Sequence, residues 1–93
     1  MMPEEMLKLR IALDERGIKW VDKSDDMGRS FPFLDMMIYR TAYDYGGIKW
    51  SVISGFSTFG GDKGLLEVWT SNSDPIGSLT AKDILTMMGK GGE

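Results

Sequence analysis

Met6, Leu9, Ala12 and Leu13 fall on one stripe at 3.6-residue spacing, with Glu5, Lys8, Glu15 and Arg16 around it, which predicts an amphipathic helix over residues 4–16. Pro3 suits its first turn and Gly17 the position just past its end. Ile18-Lys19-Trp20 alternates and reads as a short strand. Residues 22–32 are polar and broken by Gly28 and Pro32, which reads as a loop of the kind that often carries function. Residues 36–45 and 48–54 are rich in β-branched and aromatic side chains and flank Gly46-Gly47, a two-residue hairpin signal. A second hairpin follows, with its turn in the glycine-rich stretch 55–64 and its return strand at 65–70. Asp74-Pro75-Ile76-Gly77 has turn chemistry. Thr80 and Asp83 then have the spacing of a capping-box variant, with Leu79 and Ile84 at the two positions of a hydrophobic staple. The helix they open is expected to stop at Gly89.

The order helix, strands, helix predicts an α+β domain: a three- to four-stranded antiparallel sheet with an N-terminal and a C-terminal helix packed on one face. A two-residue turn at Gly46-Gly47 fixes the register. Tyr45, Tyr43, Thr41 and Tyr39 then face Ile48, Trp50, Val52 and Ser54, while Asp44, Ala42, Arg40 and Ile38 face Lys49, Ser51, Ile53 and Gly55. The Asp44–Lys49 pair marks the second set as the outer face, so the first set, with Leu66 and Val68, is the expected core. That leaves Leu65, Glu67 and Trp69 outside.

At 93 residues the chain is one domain, residues 1–93, with 1–2 and 90–93 expected to fray. Its 42% apolar and 27% charged composition is that of a globular protein. Having no cysteine, it has neither a disulfide framework nor a thiolate metal site, and a cytoplasmic location is expected. No apolar run is long enough to cross a membrane, and Met1-Met2-Pro3-Glu4-Glu5 is unlike a signal peptide. The net charge of −3, with cations spread singly, argues against general nucleic-acid binding but leaves room for a small anionic ligand.

With neither histidine nor cysteine, the usual general base and thiol nucleophile are missing together, so a non-enzymatic protein is expected, with no catalytic residue and no cofactor. The acidic run 22–28 departs from a calcium loop, its glycine one position late and Phe33 in place of the bidentate glutamate, so no metal site is assigned. Two regions are candidates for ligand binding. Arg40, Ser51 and Trp69 share the outer face, where a half-exposed tryptophan is also an ordinary strand former. The stretch Gly55-Phe56-Ser57-Thr58-Phe59-Gly60-Gly61-Asp62-Lys63-Gly64 offers backbone donors, hydroxyls, stacking rings at Phe56 and Phe59 and a charge at Lys63. Its glycines also fit a plain hairpin connection. Eight methionines, including Met36-Met37 and Met87-Met88, read as core filler.

Arg10-x-x-Leu13-Asp14-x-x-Gly17-Ile18-x-Trp20, Tyr39-Arg40-Thr41, Trp50-Ser51-Val52-Ile53-x-Gly55, Gly64-Leu65-Leu66-Glu67 and Pro75-x-Gly77-x-Leu79-Thr80-Ala81 resemble segments of small uncharacterised proteins encoded by phages and prophages of Gram-positive and gut bacteria. The resemblance spans residues 8–86 and carries no assigned site. It implies a context, the infected host cell, in which small proteins of this kind often antagonise bacterial defence. The expectation is a counter-defence sponge that sequesters a nucleotide-type immune signal. The alternatives are an anti-CRISPR-like inhibitor of a host defence protein, and a structural or regulatory phage accessory. Ten aromatic residues on so small a core also predict a homo-oligomer.

Overall fold

The computed structural model describes residues 2–26, 37–55 and 63–91. Helix α1 (Glu4–Glu15) begins after Pro3 and ends on Gly17, whose φ of +70° supplies the left-handed turn that closes it. Strands β1 (Trp20–Asp22) and β2 (Asp25–Asp26) both pair antiparallel with β3 (Met37–Tyr45). β3 continues into β4 (Ile48–Gly55), β5 (Leu66–Thr70) and β6 (Ser73–Leu79), and helix α2 (Ala81–Gly91) follows. The sheet order is β1-β3-β4-β5-β6, antiparallel throughout, with β2 extending the β1 edge.

The α+β class and the two flanking helices are as expected, but the sheet has five strands in its main path instead of three or four. The extra strand is β6, where Asp74-Pro75-Ile76-Gly77 forms strand and not turn. An edge strand leaves half of its backbone groups outside the ladder, so proline is tolerated there. Local turn chemistry is spent instead on register shifts against β5 and on Ser78, which sits at φ 58°. The reading of residues 22–32 as loop is corrected at its start, since Asp22 closes β1 and Asp25–Asp26 form β2, with Lys23 and Ser24 between them outside either strand; residues 27–32 lie outside the described residues. The short strand expected at 18–20 lies two residues later, at Trp20–Asp22. At the C-terminus the helix passes through Gly89, which does not take up the positive φ of a helix stop, and so includes residues 90 and 91, expected to fray.

The β3–β4 register follows the two-residue turn residue by residue, from Tyr45↔Ile48 to Ile38↔Gly55. Tyr43, Trp50, Val52, Leu66 and Val68 point into one core with Met6, Leu9 and Leu13 of α1 and Ala81, Ile84 and Met88 of α2. Two thioethers satisfy buried hydroxyls in that core: Thr41 Oγ1 donates to Met6 Sδ at 3.1 Å, and the Tyr43 phenol donates to Met88 Sδ at 3.2 Å. Burial also pushes the Tyr43 phenol well above its ordinary value.

The capping box closes in both directions. The Thr80 N–H donates to Asp83 Oδ2 at 2.9 Å, and the Asp83 N–H donates to Thr80 Oγ1 at 3.2 Å. A second carboxylate joins from the other end of the chain: Glu5 Oε1 of α1 accepts the Ala81 N–H at 2.8 Å, tying the two helices together at an N-terminus that favours negative charge. No described helix is long and apolar enough to cross a membrane.

Candidate functional site

Both helices pack on the Tyr43–Trp50 face of the sheet, which leaves the opposite face without a helix among the described residues. Its side chains form a grid set by register. Val21 pairs with Ala42, Ala42 with Ser51, and Ser51 with Trp69, giving one uncharged row that crosses four strands. On one side of it Arg40 pairs with Ile53 and Ile53 with Glu67, and the Lys23 N–H donates to the Arg40 carbonyl at 3.0 Å, which brings Lys23 level with that row. On the other side Asp44 pairs with Lys49, and Lys19 extends the alternation of Val21 and Lys23 by one step. Rows two residues apart along a strand are about 6.6 Å apart, and the short Ala42 side chain leaves a depression between the two charged rows. Lys19, Val21, Lys23, Ala42, Asp44 and Lys49 line this concavity of about 390 Å³.

The structure gives positions for four of the residues the sequence proposes as a site, Arg40, Ser51, Lys63 and Trp69. Arg40, Ser51 and Trp69 do share one face, with Ser51 directly opposite Trp69. Trp69 is 48% exposed, and its indole N–H donates to the Glu67 carboxylate two residues away, which holds the ring along the strand. Ile53 and Glu67, on this same face, are buried. Lys63 is exposed in the turn preceding β5. Phe56, Ser57, Thr58 and Phe59 lie outside the described residues, as does Met36.

Lys19, Val21, Lys23, Ala42 and Lys49 were not singled out by the sequence. The available signal was the alternation Lys19-x-Val21-x-Lys23, which continues the strand started by Trp20 and places two cations on either side of one exposed apolar residue. Among the described residues none of Lys19, Lys23, Lys49 and Arg40 forms an ion pair, whereas Lys8 is paired with Glu4 and Glu5, and Arg10 with Asp22.

What aims the two lysines flanking β1 is a polar clasp on the helix side of the sheet. Arg10 of α1 is 7% exposed, and its Nε donates to Thr41 Oγ1 at 2.7 Å. Its Nη2 donates to Asp22 Oδ1 at 3.3 Å and to the Arg40 carbonyl at 3.2 Å. The guanidinium lies 4.7 Å from the centroid of the Trp20 ring, and Trp20 Nε1 donates to Asp14 Oδ1 at 2.8 Å. Both ends of the three-residue β1 are thereby anchored to α1, and residues of alternate parity are left on the opposite face. The Ser24 hydroxyl and N–H donate to Asp22 at 2.6 and 2.9 Å, and with the Arg10 charge they hold the Asp22 carboxyl below the ordinary carboxylate range. At the other side of the concavity the Ser71 N–H donates to the Lys49 carbonyl at 3.1 Å and its Oγ accepts the Lys49 N–H at 3.2 Å, fixing that end of β4.

Searches for similarity found no matching family model, no matching curated protein and no matching solved structure.

Proposed function

We propose that this chain works by binding, as a phage counter-defence protein that sequesters a nucleotide-type immune signal on the sheet face opposite its helices. The observation that carries the reading is the arrangement of that face: four cations that form no ion pair among the described residues, Lys19, Lys23, Arg40 and Lys49, flank an uncharged row that ends on the half-exposed indole of Trp69. Cations without partners keep their charge available to an anion, and an exposed indole offers a π-face to a base. The phage context comes from the resemblance of the chain's motifs. The concavity lies among exposed side chains of the sheet face, so we also propose that a second copy covers the ligand, as symmetric dimers commonly do around a shared site.

Thermal melts with a panel of cyclic dinucleotides and ADP-ribose derivatives test the reading. A ligand present at 100 times its Kd stabilises the fold by about 2.7 kcal/mol, a shift of roughly 10–20 °C for a domain of this size. Light scattering with the same ligand reads the oligomer. A second reading, inhibition of a host defence protein, is favoured by one specific feature: Leu7 and Ile11, one turn apart on α1, are 51% and 49% exposed and form an apolar pair suited to a protein partner. Absence of any shift across the panel favours that reading and overturns the first.

A further inference from the structure

The nucleotide reading leaves open which end of the trough holds which part of the ligand, and the grid answers this by charge. The β1 end carries Lys19, Lys23 and Lys49 around Asp44, a net charge of +2 by formal count (three cations, one carboxylate), over a floor of Val21 and Ala42. The β5 end carries Trp69, whose indole N–H is held by the Glu67 carboxylate, and no cation of the concavity. We infer that the concavity between Lys19, Lys23 and Lys49 seats a diphosphate or polyphosphate group, and that a nucleotide lies along the Val21–Ala42–Ser51–Trp69 row with its phosphates at β1 and its base on Trp69. The placement of the base rests on the nucleotide reading; the phosphate seat does not.

Three features select this chemistry. The lining cations in the concavity are lysines, compact point charges on flexible stems, which can bind phosphate oxygens without the fixed bidentate geometry of an arginine. Val21, 56% exposed, and Ala42 form an apolar floor, next to which each cation attracts an anion more strongly than it does in bulk water. From Val21 to Trp69 there are three strand intervals, about 14 Å, comparable with an extended nucleoside diphosphate. A long polyanion is disfavoured, because the trough spans one small domain whose net charge is −3.

The experiment uses inorganic pyrophosphate and ADP as probes, in low salt, read by calorimetry and by amide shifts in a heteronuclear NMR titration. The variants are the triple Lys19→Gln/Lys23→Gln/Lys49→Gln, which keeps aliphatic stems over Val21, a parallel triple to Ala, Trp69→Ala, and Lys82→Ala on the exposed side of α2 as a control. All four lysines are exposed, so the melts of these lysine variants should match that of the native chain. Pyrophosphate is expected to shift the amides of Val21 and Ala42, and both triples to lose at least tenfold in pyrophosphate affinity, while Trp69→Ala and Lys82→Ala stay within twofold. ADP is expected to bind more tightly than pyrophosphate and to lose about tenfold with either the triple or Trp69→Ala. Pyrophosphate that does not bind, or binds the triples as well as the native chain, overturns the phosphate seat. ADP binding that depends on Trp69 but not on the lysines overturns it too while leaving the nucleotide reading standing. Pyrophosphate binding that needs the lysines, with no added affinity for ADP and no shift from any nucleotide in the panel, supports the seat and overturns the nucleotide reading.

Discussion

Trp50 and Trp69 lie on adjacent strands but on opposite faces of the sheet, and replacing each by alanine should separate the core from the outer face. Trp50 is 4% exposed, stacks on Tyr43 with ring centroids 6.0 Å apart and planes 3° from parallel, and donates its Nε1–H to the Tyr45 carbonyl at 3.2 Å. Truncating a buried tryptophan costs about 3–5 kcal/mol, a figure that already contains the lost ring pair and the unpaired carbonyl. Trp69 is 48% exposed. Fully burying a large apolar side chain is worth about 1.5–3 kcal/mol, so losing the buried half of this one costs about 1 kcal/mol. The difference of at least 2 kcal/mol corresponds to roughly 8–16 °C in Tm for a domain this small. Paired urea and thermal melts, followed by far-ultraviolet circular dichroism, measure it. Equal losses in the two variants, or a larger one for Trp69→Ala, would refute the assignment of faces and with it the placement of Trp69 in a recognition surface.

Two further outcomes follow from local geometry. Gly55 ends β4 at φ +122°, and a Cβ there would lie 2.2 Å from the Met37 carbonyl oxygen, so Gly55→Ala combines a disallowed backbone with a clash against the neighbouring strand; the expected loss is about 3 kcal/mol or more in a urea melt, and a loss under 1 kcal/mol contradicts the close approach. The Asp83 carboxyl, held below its ordinary 3.8 by the Thr80 N–H and hydroxyl, and that of Asp22, held down first by the Ser24 hydroxyl, bind protons less readily in the folded than in the unfolded chain. Their contribution is complete above the unfolded value near pH 4 and fades as pH falls through the lower folded values, so stability should decline from about pH 4 towards pH 2, and Asp83→Asn and Asp22→Asn should each flatten that slope in urea melts taken across the range.

The parts of this fold that were legible in the sequence are those where a short local signal admits one geometry. Gly46 and Gly47, at φ 61° and 77°, close a two-residue turn, and such a turn permits a single register, so every pair from Tyr45↔Ile48 to Ile38↔Gly55 could be written down beforehand. The Asp44–Lys49 pair then told the faces apart, and the Thr80–Asp83 spacing located the second helix. Where several geometries serve one local signal, sequence could not choose. Asp74-Pro75-Ile76-Gly77 suits a turn and also suits an irregular edge strand, and only the presence of β5 beside it decides between them. The same limit explains the lysines. The alternation Ile18-Lys19-Trp20 is too short to fix a strand's bounds, and β1 lies at Trp20–Asp22 because β3 pairs with it on one side and Arg10, reaching from a helix ten residues earlier, clamps Trp20 and Asp22 from below. Arg10 in turn reads as one more polar residue on a helix until Thr41 and Trp20 close over it. Two of the three cations around the concavity thus flank the strand with the weakest local signal, held from outside by long-range contacts, and loosening the clasp with Arg10→Lys should therefore disturb Lys19 and Lys23 before it disturbs the core.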